Sequence, residues 1–190
     1  MNSIELPIPL FGGVFYFLRH GETESNRLKT IAGSLDVALN DTGLAQARAA
    51  IELVRPLGVT HLVSSNLRRA RETAATIARA LVLPHMVVPE LAERNWGELE
   101  GRSQVLRARG APPPPGAETA EQFIARTRAA LALIRADGVP LVVAHSGTHR
   151  VLCRLLGLAE SAEAVANCRP VRFVPPARAG EGWSMAIVQK

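Results

Sequence analysis

The stretch Val14-Phe15-Tyr16-Phe17-Leu18-Arg19-His20-Gly21-Glu22-Thr23 decides the fold. An uninterrupted apolar run, rich in aromatic and β-branched side chains, stops abruptly at a polar cluster. So short a run, apolar on both faces, reads as a strand buried inside a sheet. Its end delivers an arginine and a histidine together, beside a glycine.

The same arrangement recurs outward along the chain. His61 to Ser64 reads as a strand ending at Ser64-Ser65, Met86 to Val88 as a short strand, and Leu141 to Ala144 as an apolar strand ending at His145-Ser146-Gly147. Amphipathic segments lie between them. Thr42 to Leu57 carries Leu44, Ala47, Ile51 and Val54 at helical spacing behind the capping residues Asn40, Asp41 and Thr42. Leu67 to Leu81, Thr119 to Asp137 and Thr148 to Leu156 read as further helices. Two tail strands, Val171 to Val174 and Ser184 to Val188, flank the turn residues Gly180 and Gly182.

Alternation of this kind predicts βαβ crossovers. The expected fold is α/β: a three-layer sandwich with a mostly parallel central sheet flanked by helices, one domain over 1–190. Ligands in such sheets sit at the carboxyl ends of the strands, where the polar clusters fall. Gly101 to Gly116 contains the run Pro112 to Pro115 and fits neither helix nor central strand. Residues 97–118 are therefore expected to form a short lid beside the sheet.

Composition narrows the function. The 190 residues are 47% apolar and 21% charged, which excludes a disordered chain. Cys153 and Cys168 form no CxxC motif, so neither a disulfide scaffold nor a structural zinc site is expected. No apolar run reaches the roughly 18 residues of a membrane span. The N-terminal segment, without Lys or Arg before Arg19, lacks the pattern of a secretory signal. A cytoplasmic protein is the expectation. The net charge is +5, from 20 Arg and 2 Lys among the basic residues. Arginine suits bidentate binding of phosphate or carboxylate, although a GC-rich genome supplies it too. The arginines are scattered and the aromatics few, so neither a nucleic-acid nor a membrane partner is expected.

Two histidines at strand ends, several arginines and the acidic segment Glu90 to Glu100 suit phosphoryl chemistry. Arginine forks hold a phosphate dianion, and a neutral imidazole can carry a phosphoryl group. A carboxylic acid can then protonate the leaving alkoxide. Other phosphatase chemistries lack their residues here. Ala159 and Val174 stand where a cysteine nucleophile would need arginine six positions on. There is no Asp-x-Asp motif, GxxxxGK[ST] loop or two-metal cluster of carboxylates and histidines.

Leu18-Arg19-His20-Gly21-Glu22-Thr23 with Asn26 resembles the signature of the histidine phosphatase superfamily, in its phosphoglycerate-mutase-like branch. The resemblance continues in order. Asp36, Leu39 and Asn40 to Ala47 look like the segment after the nucleophile, Ser64 to Ala74 like the SSxLxRAxxTA element, and Leu91 to Gly101 like the LxExxxGxxEG element. Val143 to Gly147 stands where the second histidine follows a strand.

The resemblance implies a metal-independent phosphomonoesterase without cofactor. His20 would become phosphohistidine, with Glu93 as general acid and base. Arg19, Asn26, Arg69 and His145 would bind the phosphate, His145 also steadying the transferring group. The substrate would be a small phosphorylated molecule or a phosphoprotein. Family members with mutase activity have a longer insertion between acid and second histidine. The short, proline-rich excursion here favours hydrolysis. A mutase-type phosphotransfer and a catalytically silent phosphate-binding domain remain the alternatives.

Blander roles suit other residues. His61 and His85 read as structural. His145 and His149 share an i, i+4 spacing, but His145 sits at a strand end, so no metal site is expected. Arg68 and Arg71 read as solvated or salt-bridged, and Arg150 as either a support for the His145 loop or a surface residue. Glu98 and Glu100 compete with Glu93, which the motif register selects. Gly21 and Gly147 are expected either to bring backbone close to the phosphate or simply to form turns. Ala32, and the one-residue-longer Gly116-Ala117-Glu118-Thr119, depart from the family pattern near the expected substrate rim.

Overall fold

The computed structural model describes residues 8–107, 112–159, 165–178 and 180–189. Strands β1 (Phe15–Arg19), β2 (His61–Ser65), β3 (His85–Val88), β4 (Pro140–Ala144), β5 (Pro170–Val174) and β6 (Ser184–Ile187) form one sheet in the order β3-β2-β4-β1-β5-β6. The first four in that order run parallel, with Phe17 opposite Val142 and Val63 opposite Val142 on the other side. β5 lies antiparallel to both β1 and β6. The α/β sandwich is as the residue pattern predicts.

Strand pleating sends alternate side chains to opposite faces. Phe15 and Phe17 of β1 pack with Val142, Ala144 and Phe173 on one face. Tyr16 and Leu18 pack with Leu62, Leu141 and Val143 on the other. Helices α2 (Asp41–Val54) and α3 (Arg68–Leu81) cover the second face through Ala47, Ala50, Val54, Ala74 and Ile77. Helices α4 (Ala120–Ala132) and α5 (Ser146–Leu155) cover the first through Ala130, Leu131 and Leu152. Covered on both faces, β1 and β4 have no use for polar alternation, which explains their continuous apolar runs.

Local chemistry sets the helix ends. The Asn40 side chain accepts from Gly43 N at the start of α2, and Pro56 converts the expected last turn into a 3₁₀ turn over Arg55–Leu57. Thr119 and Gln122 form a capping box on α4. That helix stops five residues short of Asp137. Bonds from Leu133 N to Ala130 O and from Ile134 N to Leu131 O tighten its end and leave Ile134 in the core, before Gly138 (φ +117°) turns the chain into β4. A one-turn helix missing from the sequence reading, α1 (Glu24–Arg27), is closed by a Thr23/Asn26 capping box.

The expected lid lies partly outside the described residues, at 108–111. Its described parts contain 3₁₀ turns at Gly97–Leu99 and Gln104–Leu106, with isolated bridges joining Trp96 to Ala117 and Thr30 to Ser103. No described helix is long and apolar enough to cross a membrane.

Candidate active site

The carboxyl ends of four neighbouring parallel strands converge on one cavity of about 1040 Å³. β1 ends in Arg19 and His20, and α1 brings Asn26 beside them. β2 leads into α3, which carries Arg69. The 3₁₀ turn after β3 leads to Glu93, and β4 ends at His145, the residue before α5. Arg19, His20, Asn26, Arg69 and Glu93 all line the cavity. His145 is fully buried beside it, its ring centroid 5.2 Å from that of His20.

His20 is oriented by its backbone neighbours. Its Nδ1 lies 2.7 Å from the Gly21 carbonyl, so that nitrogen carries the proton and Nε2 keeps its lone pair. The main chain is pinned on both sides: His20 N donates to Ala144 O at 3.0 Å, and Asn167 Nδ2 donates to His20 O at 2.6 Å. Burial, then the charges of Arg69 and Arg19, hold the His20 ring well below the usual histidine value. His145 is held down likewise, by burial first and then by Arg69 and His20. Both rings are neutral at physiological pH.

The two arginines are fixed through carbonyls. Arg69, 1% exposed, donates from Nη1 to Leu35 O and from Nη2 to Gly33 O, each at 2.7 Å. Arg19 Nη1 donates to Val165 O at 3.0 Å. Carbonyl acceptors orient a guanidinium without neutralising it. Burial pulls Arg69 down to about 10, which leaves it charged at neutral pH. Arg19 Nε, Arg69 Nε and both His145 ring nitrogens are buried without a hydrogen-bond partner among the described residues. Buried guanidinium donors without a partner suit an anion, because stranding them is costly.

Glu93 Oε1 accepts from Arg94 N at 2.8 Å and Oε2 from Gly147 N at 2.9 Å. Each oxygen retains acceptor capacity toward the cavity. The competing acids lie elsewhere. Glu98 is exposed. Glu100 Oε1 accepts from Ser34 N and Trp96 N, tying two loops together.

At the two glycines, packing leaves no space for a side chain. A Cβ on Gly147 would fall 2.0 Å from Glu93 Oε1, and one on Gly21 would fall 2.5 Å from the Gly43 carbonyl oxygen. Gly147 makes room for the acid, and Gly21 for the start of α2. Arg68 pairs with Glu72 at 2.7 Å on the surface. His85 bonds Ser64 at 2.8 Å, and His61 contacts Thr60 Oγ1 at 2.9 Å. His149 packs against Phe17 and Phe173, away from the His20–His145 pair. No group of three or more metal-ligating side chains converges among the described residues.

Sequence reasoning missed the supports. Thr73 Oγ1 accepts from Gly21 N at 3.0 Å and donates to Arg69 O at 2.7 Å, joining the His20 loop to α3. Asn167 also escaped notice, since its role exists only across a long sequence separation. Arg150 lines the cavity. Its place was legible in principle, because it lies three residues beyond Gly147 on the same helical face.

A histidine pair, a buried Arg69 and a half-buried Arg19 anchored on carbonyls, and a fixed carboxylate lie together at one sheet edge. Residues 15–172 match the histidine phosphatase superfamily (branch 1). The chain belongs to that superfamily. It is 36% identical over 166 aligned positions to a protein named probable phosphoglycerate mutase GpmB from Yersinia pestis (strain Pestoides F), covering 78% of this chain and 77% of the relative. Among solved structures, a mycobacterial hydrolase is 25% identical with a TM-score of 0.77, covering 93% of this chain and 97% of that one. A mycobacterial glucosyl-3-phosphoglycerate phosphatase is 25% identical with a TM-score of 0.75, over 93% and 98% of the two chains.

Proposed function

We propose that the protein is a metal-independent, acid-histidine-type phosphomonoesterase working through a phosphohistidine on His20, with Glu93 as general acid and base. The observation carrying this reading is the His20–His145 pair, 5.2 Å between ring centroids, beside the unpartnered Nε groups of Arg19 and Arg69.

The ester phosphate docks against Arg19 and Arg69, with Asn26 and His145 as further donors. Asn26 Oδ1 is engaged by Thr23 N in the α1 cap, so its NH₂ end is the one available to an anion. His20 Nε2 attacks phosphorus as the bond to the ester oxygen breaks. Glu93 gives its proton to the departing alkoxide. Water then attacks the phosphohistidine and passes a proton to Glu93. The P–N bond breaks, leaving inorganic phosphate, neutral His20 and protonated Glu93. A low His20 pKa keeps the nucleophile unprotonated. A cavity of about 1040 Å³ leaves room for water beside the intermediate, which favours hydrolysis over return of the phosphoryl group.

A mutase reading draws support from the relative named probable phosphoglycerate mutase. Incubation with 3-phosphoglycerate separates the two: release of inorganic phosphate faster than isomerisation marks the phosphatase, and the reverse marks the mutase. The primary test is p-nitrophenyl phosphate hydrolysis with EDTA present. We expect turnover that survives chelation and vanishes in His20→Ala. Activity lost to EDTA would refute the metal-independent mechanism, and inactivity toward every phosphate ester would indicate a silent binding domain. The substrate of this reading is a small phosphorylated molecule or a phosphoprotein, and its site of action the cytoplasm.

A further inference from the structure

Arg69 is aimed by carbonyls on a loop whose backbone is free to turn. Its Nη2 donates to Gly33 O and its Nη1 to Leu35 O, each at 2.7 Å. Gly33 stands at φ +51°, in the left-handed region that favours glycine. The Gly33–Ser34 peptide therefore adjoins a permissive position. Rotation of that one peptide would turn its acceptor away from Arg69 and its donor toward it.

Glu100 holds the other end of the same peptide. A trans peptide points its N–H and C=O in opposite directions. Ser34 N donates to Glu100 Oε1 at 2.6 Å, while Gly33 O accepts from Arg69. One planar unit thus lies between a carboxylate and a guanidinium, with each charge at the end of the dipole that attracts it. Reversal would face a carbonyl to the carboxylate and an amide N–H to the guanidinium, and both contacts would become repulsive. Ser34 Oγ donates to Oε1 at 2.9 Å, and Trp96 N at 3.0 Å. A Cβ on Gly33 would fall 2.1 Å from that oxygen, so glycine also admits the carboxylate. The loop has separate ties to the same segment: Ile31 N donates to Arg102 O and Gly101 N to Ile31 O, both at 2.8 Å. Those bonds place the loop and leave the plane of the Gly33–Ser34 peptide to Glu100. Burial draws Arg69 down, and the charges of Glu93, Asp36 and Glu100 oppose it.

We propose that Glu100 is a positioning residue for phosphate binding: through the Gly33–Ser34 peptide it fixes the carbonyl that aims Arg69 at the anion. This role rests on reading Arg69 as a phosphate-binding residue, and assigns its orientation to an acid that takes no part in the reaction. Reach is the property required, since one oxygen must meet Ser34 N and Trp96 N together. Charge alone does not suffice.

The test is calorimetric titration with inorganic phosphate at neutral pH, on variants shown to be folded by circular dichroism. Glu100→Ala should weaken phosphate binding by about tenfold or more, the loss expected when a charge-assisted contact is misaimed. Glu100→Asp keeps the charge but ends roughly 1.5 Å short of both amides, and takes the place of the alanine variant if that one does not fold. Glu100→Gln keeps an acceptor oxygen within reach and should recover most of the affinity. Glu98→Ala, at an exposed position, should bind phosphate like the parent. A merely structural role predicts a lower urea midpoint with phosphate affinity unchanged while the chain is folded, and that result would overturn the positioning role. Failure of Glu100→Gln to recover affinity would also overturn it, because only the field of the charge would then matter. Arg69→Gln separates this role from the reading beneath it. If Arg69→Gln loses affinity and Glu100→Ala does not, the positioning role alone fails. If Arg69→Gln binds phosphate like the parent, or the parent binds none, the phosphate role of Arg69 falls and the role of Glu100 with it.

Discussion

Gly147 and Glu93 occupy one another's space. The Gly147 amide donates to Glu93 Oε2 at 2.9 Å, and a Cβ at position 147 would lie 2.0 Å from Glu93 Oε1. The first turn of α5 therefore positions a carboxylate delivered by the segment after β3. It is the absence of a side chain that allows this.

Gly147→Ala should displace the Glu93 carboxylate while leaving His20 and both phosphate arginines in place. An ångström-scale shift of a reacting group costs up to about 100-fold. We expect kcat on alkyl phosphates to drop by about ten- to 100-fold. The loss on p-nitrophenyl phosphate, whose leaving group departs without protonation, should be smaller. Unchanged alkyl phosphate turnover would show that the carboxylate position is unimportant.

Removing the acid itself sharpens the comparison. Glu93→Gln should lower kcat for alkyl phosphates by roughly 10²–10⁴-fold, the usual range for general acid catalysis. Activated aryl esters should lose far less in the step that forms the phosphoenzyme, which a burst experiment on the variant would read. Equal losses on both ester types would remove Glu93 from the acid role.

Thr73 links two parts of the site through one hydroxyl, accepting from Gly21 N and donating to Arg69 O. Thr73→Val strands a buried amide, at a cost of about 1–3 kcal/mol. Urea unfolding should read that loss, and Thr73→Ser should restore most of it. Full stability in Thr73→Val would mean that the Gly21 amide finds another partner.

Three buried histidines couple stability to pH. His20 and His145 are held well below their ordinary value, and His149, through burial and Arg150, lies at about 4. Below about 6.5 the unfolded chain takes up protons on these rings while the folded chain does not. Stability is thus fully present above about pH 6.5 and is lost as pH falls toward the folded values. For His149 that window runs from about 6.5 to about 4. Each ring contributes up to about 1.4 kcal/mol per pH unit within its window. Urea midpoints at pH 7, 6 and 5 should fall in sequence, and His149→Phe should flatten the trend. A flat profile in the parent protein would contradict neutral burial of the rings.

The sequence reading succeeded where one residue's role depends on its immediate neighbours. The run Phe15 to Leu18 needs only burial on both faces to become a central strand, and the polar residues after it then fall at the sheet edge. His20, Glu93, Arg19, Asn26, Arg69 and His145 were all legible from motif order, and each lies at the edge where that order puts it. Legibility failed for Thr73, Asn167 and the carbonyls of Gly33 and Leu35, which act on partners far along the chain. The reasons for Gly21 and Gly147 were also hidden, since each glycine answers to a neighbour that only packing supplies.

Linear order thus determined the layered α/β architecture and which polar clusters fall at the strand ends, because hydrophobic period and strand-end chemistry are local properties of the chain. Tertiary structure alone decided how Arg69 is aimed, how Glu93 is held against Gly147, and that Arg94, Arg107, Arg150 and Arg154 share one wall. Those outcomes depend on distances between segments far apart in sequence, fixed only once the strands pair and the helices pack upon them.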